Sequence, residues 1–466
     1  MKYSLAFDLG ATSIRGIRGY IENGILKTEE VLRFSHEITN NNDRSRWDWN
    51  KIINNIENTI LKYGENLSSI GVDTWGVDFG ILDKNGALLE NPISYRDESH
   101  TIGFRAAQQT TSLHDIFMNT GNQIMSINTL FQILTLKEEN KNYKNISTIL
   151  MMPDLINYYL SGNKFSEVTI ASTTQLFDLK NQKFSEYILK KYEIDNNIFP
   201  KIVSPGNIIG STKNSKLKSI RKFDIPIIST ASHDTASAVL LTKAYTDENT
   251  LFLSCGTWSL IGCLSKKPII TKESFDNSLT NETGYNCSNM FFKNITGLYV
   301  LEKLKAQLEK KYNRKITFEE INTHVENCSI QCTFDIENEK FQANDFDVIS
   351  EINKLIGRQL PHEFDYFKVI YMSLVKKYKD TIKQISNILK KEFKFIHIIG
   401  GGAKSALLCQ MIADELKMDV IAGPFEATAY GNLLVQKIAL NEIKSLEEGF
   451  KIISKTAEIK IYKNRK

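Results

Sequence analysis

Residues 7–16 read FDLGATSIRG and residues 252–262 read FLSCGTWSLIG. Each is an apolar run, a turn of Gly with Ser or Thr, and a second apolar run, the pattern of a β-hairpin. A turn of that composition exposes backbone N–H groups and carries little side chain, so a phosphate can approach it closely. One such hairpin alone reads as a tight structural turn. Two of them, one in each half of the chain, would hold phosphate oxygens from both sides of a cleft.

The surroundings of the two hairpins share a plan. YSLAFDL and IRGIRGYI, followed by an ENG turn and ILKTEEVLRF, predict a three-stranded meander. WNKIINNIENTILKYG then carries apolar residues at 52, 53, 56, 60 and 61, the spacing of an amphipathic helix, with Gly64 as its stop. SIGVDTWGVDFGILD reads as a strand pair ending in the turn DKNG. The second half opens after the polar connector KAYTDENT (243–250). KFIHIIGGGAKSALLCQMIADEL and MDVIAGPFEATAYGNLLVQ each predict a strand, a turn and a helix. Strands alternating with helices give an α/β fold. The expected organisation is two related halves, 1–242 and 243–466, meeting at a cleft.

The length of 466 residues is too great for one core and suits two domains. Net charge is +4, from 58 basic and 54 acidic residues spread along the chain, too weak an excess for a nucleic-acid partner. No apolar stretch reaches a bilayer-spanning length and the start lacks a signal peptide's apolar segment, so no membrane role and a cytoplasmic location are expected. The six cysteines are scattered. CSIQC (328–332) has no second Cys or His pair nearby, which leaves ordinary thiols as the expectation and not a zinc site.

Three further stretches could carry chemistry. ASHDTASAV (231–239) sets His233 and Asp234 among small residues that bring the backbone close to a ligand. Asp234 could take a proton from a hydroxyl and His233 could hydrogen-bond a sugar oxygen. As a structural motif the same stretch would make Asp234 a helix cap and His233 a core residue. Phosphoryl transfer asks mainly for positioning and charge neutralisation, so one carboxylate as base and a second near a metal would suffice, and Asp8 is the candidate for the second. GGG (400–402), between a strand and a helix, would let a flat ligand or phosphate lie against the backbone. It fails the GxGxxG pattern at Ser405, and no Walker A loop is present. In DTWGVDFG (73–80), Gly76 offers backbone access to a sugar while Trp75 reads as core.

Taken together, DLGATSIR, WDWN, SIGVDTWGVDFGILD, NPISYRD, LMMPDLINYYLSG, ASTTQLFD, ASHDTASAV, LSCGTWSLIG, KNITGLYVLE and the GGG to AGPFEATAYGN segment resemble the FGGY carbohydrate kinases over nearly the whole chain. The resemblance implies two duplicated ribonuclease-H-like domains of the actin and hexokinase type around an interdomain cleft. GVDTWGVDFG and LMMPDLINYYLSG point to the branch that uses Mg2+ and ATP to phosphorylate L-rhamnulose at O1 in L-rhamnose catabolism. Another ketose, such as fuculose or xylulose, and a non-catalytic sugar-binding role stand as alternatives. By matching motifs, Asp234 would be the proton acceptor, and Gly76, His233, Asp234 and Thr235 would line the sugar site. Ala11, Thr12, Ser13, Ile14, Arg15, Thr257, Asn294, Glu302 and Gly401 would contact ATP, and Asp8 would orient Mg2+ through water. The chain departs from the family pattern at Ile14, where Gly is usual, at Glu302, where Gln is common, and at Ser405, where Asn usually follows GGG. The TGNQIMSINTL segment (120–130) lacks the family's proline.

Overall fold

The computed structural model describes residues 2–35, 38–41, 44–139, 142–342 and 346–465. The chain divides into two compact units. The first comprises Met1–Leu241, Ser265–Phe291 and Ala427–Ala457, and the second Thr242–Leu264, Phe292–Glu426 and Glu458–Lys466.

The expected meander heads the first unit as strands Tyr3–Leu9, Ser13–Glu22 and Ile25–Ser35. They form half of a six-stranded sheet ordered Ile208–Ser211, Pro226–Ile228, Leu67–Thr74, Tyr3–Leu9, Ser13–Glu22, Ile25–Ser35. Tyr3–Leu9 runs antiparallel to Ser13–Glu22 and parallel to Leu67–Thr74. In the second unit the hairpin Thr250–Cys255 and Trp258–Ser265 repeats this plan, with Phe395–Ile399 as the parallel neighbour of its first strand. Asp419–Ala422 follows on the far side of Phe395–Ile399, parallel to it. The same strand arrangement thus occurs twice, as the paired hairpins imply.

One sequence expectation needs correction. SIGVDTWGVDFGILD does not make a paired hairpin. Leu67–Thr74 joins the main sheet, whereas Phe79–Leu82 leaves it to pair with Thr148–Met151. Between them Val77 adopts φ +68°, a backbone conformation that a β-branched side chain rarely takes. Gly64 caps the C-terminal end of helix Trp49–Tyr63, as expected. It stays helical, and a Cβ there would lie 2.7 Å from the Phe223 ring, so the glycine makes room for packing.

Two segments from beyond the expected 242/243 boundary pack with the first unit. Helix Ala427–Ala439 packs there because its polar face is wired into the sheet. Gln436 donates to the Leu5 carbonyl at 3.0 Å and accepts from Ser69 Oγ at 2.7 Å. Gly431 lets it approach helix Asp234–Val239, where a Cβ would stand 2.0 Å from the Ser237 carbonyl oxygen. Segment 265–291 is held through Asn281, whose N–H donates to the Gly121 carbonyl at 2.9 Å. No helix among the described residues is long and apolar enough to cross a membrane.

Candidate active site

Strand register assembles the charged centre of the first unit. Asp8 is paired in register with Arg15 on one side and with Asp73 on the other. Residues directly opposite on neighbouring strands point to the same face, so these three side chains stand in a row. Arg15 forms a salt bridge with Asp8. The neighbouring strand extends the row: the Thr74 N–H donates to the Ser232 carbonyl at 2.9 Å, and Thr74 forms a parallel bridge with His233. Asp234 follows at once as the first residue of helix Asp234–Val239.

Asp234 is therefore not the cap. His233 occupies the cap position without a capping bond, and it is buried, as the structural reading of the motif requires. The Asp234 carboxylate keeps 28 % of its side-chain surface open. Burial of the carboxyl raises its pKa to about 6. His233 opposes that rise, and the Asp8 charge adds to it. Asp73 is fully buried, and desolvation, followed by the charge of Asp8, pushes it well above the usual carboxylate range. Asn432 donates to its Oδ2 at 2.6 Å, while its Oδ1 has no partner.

The charges of Asp8 and Asp234 both raise Asp73, that of Asp8 also raises Asp234, and Arg15 pairs with Asp8. An unpartnered buried acidic oxygen beside two further carboxylates fits a divalent cation better than it fits a closed ion-pair network. Chemistry of the donor set and the orphaned oxygen agree on this point.

The HD motif rests on a framework that the sequence does not advertise. Glu167 caps helix Val168–Ala171 and accepts from the Ser232 N–H at 3.2 Å, and Thr169 Oγ1 accepts from the His233 N–H at 3.1 Å. These bonds fix the backbone that presents His233 and Asp234. Glu282, from a strand that sequence reasoning passed over, reaches His233. Its Oε2 lies 3.1 Å from His233 Nδ1, out of hydrogen-bond alignment, and neither atom has another partner. Burial works to lower the pKa of His233, but the charges of Glu282, Asp234 and Glu167 outweigh it and leave it raised. Asn122 donates to the Ser172 and Asn281 carbonyls, and its buried Oδ1 is also unpartnered. Asn122 Oδ1, held against the strand that carries Glu282, is the kind of buried polar atom that a hydroxyl-rich ligand satisfies.

Gly76 sits at the strained turn before Val77, with Thr173 against it. A Cβ at Gly76 would be 3.2 Å from Thr173 Oγ1, and the Val77 N–H donates to that oxygen. The turn is braced from below by buried Asp78, which accepts from Trp47 Nε1 at 2.6 Å, Trp75 Nε1 at 2.9 Å and Gln132 Nε2 at 3.1 Å. Trp75 is core, as expected. Thr235 is buried with its hydroxyl toward Asp234. Of the first hairpin turn, Ala11, Thr12 and Ser13 lie at the surface or half-buried, whereas Ile14 is wholly in the core and offers a ligand only its backbone.

The second unit is neutral at the matching place. Its turn is anchored by Leu298 N–H to the Gly256 carbonyl at 2.8 Å and Gly297 N–H to the Thr257 carbonyl at 3.0 Å. Beneath it Ser259 Oγ and Tyr378 OH share a 2.7 Å hydrogen bond. Gly402 packs on Cys255, since a Cβ there would stand 2.2 Å from its sulfur, while Gly401 is exposed. Thr257 and Asn294 are half-buried, and Glu302 lies exposed on the first turn of helix Tyr299–Tyr312.

Sequence relationships agree with this architecture. The N-terminal domain of the FGGY family of carbohydrate kinases matches residues 3–240 and its C-terminal domain matches residues 251–440. The chain belongs to the FGGY family of carbohydrate kinases. It is 34% identical over 470 residues to the rhamnulokinase of Halalkalibacterium halodurans, covering 99% of each chain. Against the rhamnulokinase of Bacillus subtilis it is 33% identical over 469 residues, covering 98% of this chain and 94% of the relative. Among solved structures its fold is similar to a ligand-bound xylulose kinase from Lactobacillus acidophilus, with a TM-score of 0.81 at 17% identity, covering 100% of this chain and 94% of that one. Plasmodium falciparum glycerol kinase with ADP gives 0.81 at 16% with the same coverage. The expected actin and hexokinase type of fold is thereby established.

Proposed function

We propose that the protein is an ATP-dependent kinase that transfers the γ-phosphoryl group to O1 of L-rhamnulose, giving L-rhamnulose 1-phosphate and ADP. The observation that carries this reading is the partly open Asp234 carboxylate, raised to about 6, beside the buried His233–Glu282 pair. The names of the full-length relatives supply the sugar.

Asp234 accepts the proton of the O1 hydroxyl as that oxygen bonds to the γ-phosphorus and the bond to the ADP oxygen breaks. A carboxylate near 6 is ionised at neutral pH and is a stronger base than an ordinary aspartate. His233, Thr235 and the backbone at Gly76 orient the sugar, and Glu282 favours the charged form of His233. Asp8 is the residue that would hold Mg2+ through water, with Asp73 behind it. Mg2+ supplies neutralisation of the charge on the transferring phosphates. Ala11 to Arg15 on the first hairpin, and Thr257, Asn294, Glu302 and Gly401 in the second half, contact ATP. In this division the 1–242 half carries the sugar and the 243–466 half the adenosine. The reaction takes place in the cytoplasm, a reading supported by six cysteines that are all free thiols.

The test is ADP release with Mg-ATP against L-rhamnulose, L-fuculose, D-xylulose, L-ribulose and glycerol in parallel. The highest kcat/KM is expected for L-rhamnulose. A different winner would keep the kinase and overturn the sugar, and no ADP release with any of them would overturn the reading altogether.

A further inference from the structure

The second unit holds a cluster of metal-binding side chains that phosphoryl transfer does not use. We propose that His324, Cys328 and Asp365 form a binding site for a zinc-type divalent ion. The sequence expectation of ordinary thiols looked for a Cys or His pair around CSIQC and overlooked His324, one helical turn before Cys328. His324 lies in helix Phe318–Asn327, Cys328 is the residue that ends it, and Asp365 opens helix Asp365–Leu389. The i, i+4 spacing puts the imidazole and the thiol on one face of the first helix. The packing of the two helices brings the carboxylate between them.

One ligand atom from each of the three lies within 4.8 Å of the others. His324 Nε2 is 2.8 Å from Asp365 Oδ1, and Cys328 Sγ is 3.3 Å from the same oxygen. Atoms bound to one tetrahedral zinc at about 2.0 to 2.3 Å stand about 3.4 Å from one another, so small side-chain shifts open the trio around an ion. Asp365 is oriented for this, since its Oδ2 accepts from the His362 N–H at 2.9 Å. The His362 ring stacks on His324 at 4.9 Å and fixes the plane of the imidazole. Asp365 is 7% exposed while the His324 side chain is 30% exposed and lines an open groove, so an ion has a path from solvent and a water can complete the shell. One nitrogen, one thiolate and one carboxylate are a donor set for zinc or cobalt and not for magnesium. On binding, the Cys328 proton leaves to solvent and neutral His324 carries its proton on Nδ1, freeing Nε2.

The full chain, reduced and stripped of metal, is titrated with Co2+. A thiolate-to-cobalt charge-transfer band in the near ultraviolet, with visible bands of tetrahedral cobalt, is expected to saturate at one equivalent and to be displaced by Zn2+. Cobalt at a nucleotide-phosphate site has oxygen ligands only and gives no such band. Cys328→Ser should abolish the charge-transfer band and His324→Gln should weaken binding by about 100-fold. Cys287→Ser and Cys332→Ser should leave both unchanged. Kinase activity of Cys328→Ser should equal that of the parent, which separates a binding loss from misfolding. Absence of the band in the parent protein, or its survival in Cys328→Ser, would overturn the proposal.

Discussion

Asp8 and Ser254 occupy the same place in two versions of one hairpin, each two residues before the turn glycine, yet their surroundings differ in charge. Asp8 faces Asp73 and Arg15 across the sheet, whereas Ser254 faces Ile399 and Leu260. Below the second hairpin lie Cys255, Ser259 and Tyr378, and burial raises both the Cys255 thiol and the Tyr378 phenol, so all three are neutral. On the proposed reading the repeated backbone supplies two turns for phosphate, and side-chain divergence would decide which of them also handles protons and a cation. A buried row of carboxylates repels phosphate unless a cation intervenes. The neutral hairpin can meet phosphate with its backbone alone.

If the first hairpin's row is the reacting end, its base should dominate every measurement. Asp234→Asn removes the proton acceptor while keeping the shape and is expected to lower kcat by about 10² to 10⁴ fold, with the ATP KM little changed. Stopped-assay ADP release at saturating substrates decides it, and turnover near that of the parent would break the assignment. The next largest effects test the asymmetry directly. Asp8→Asn should raise the Mg2+ concentration for half-maximal rate about tenfold. Ser254→Asp, which copies the acid into the neutral hairpin, should raise the ATP KM about tenfold by repulsion of phosphate. If neither titration moves, charge is not what separates the two hairpins.

How much of this was legible beforehand follows from distance along the chain. The hairpins, the meander and the strand before ASHDTASAV are local patterns, and they appear where the periodicity places them. Asp8 and Asp234 were recognisable because each sits beside small residues at a strand end. Asp73, Glu167 and Glu282 were not, since each becomes part of the centre only through strand register or a return of the chain from 281–283. A carboxylate within an apolar run, as in SIGVDTWG, is the one local signal that could have marked Asp73. The strained turn at Val77 was hidden for a related reason. A β-branched residue gives no hint of positive φ, which is imposed here by Thr173 and by Thr129 Oγ1 donating to the Val77 carbonyl at 2.6 Å. Helix 427–439 packs with the first unit although it belongs to the second half in sequence, and nothing near it in sequence records that Gln436 bonds the first strand.

The smallest expected effect concerns the pair that distinguishes the charged centre most finely. Asp234 must be ionised to take a proton, so kcat/KM should fall as pH drops through about 6 and level off above it. Glu282 raises the pKa of His233, and His233 in turn lowers that of Asp234 and so keeps the base ionised further into acid. Glu282→Gln removes the charge that favours protonated His233. His233 is then less readily protonated and supports ionised Asp234 less, so the Asp234 pKa rises and the acid limb moves to higher pH. Profiles of kcat/KM from pH 5 to 9 at saturating Mg2+ should show the variant losing about threefold more of its activity between pH 8 and pH 6 than the parent. A limb that stays in place would mean that Glu282 orients His233 without setting its charge, and a limb that moves toward acid would mean that Asp234 is not the group being titrated.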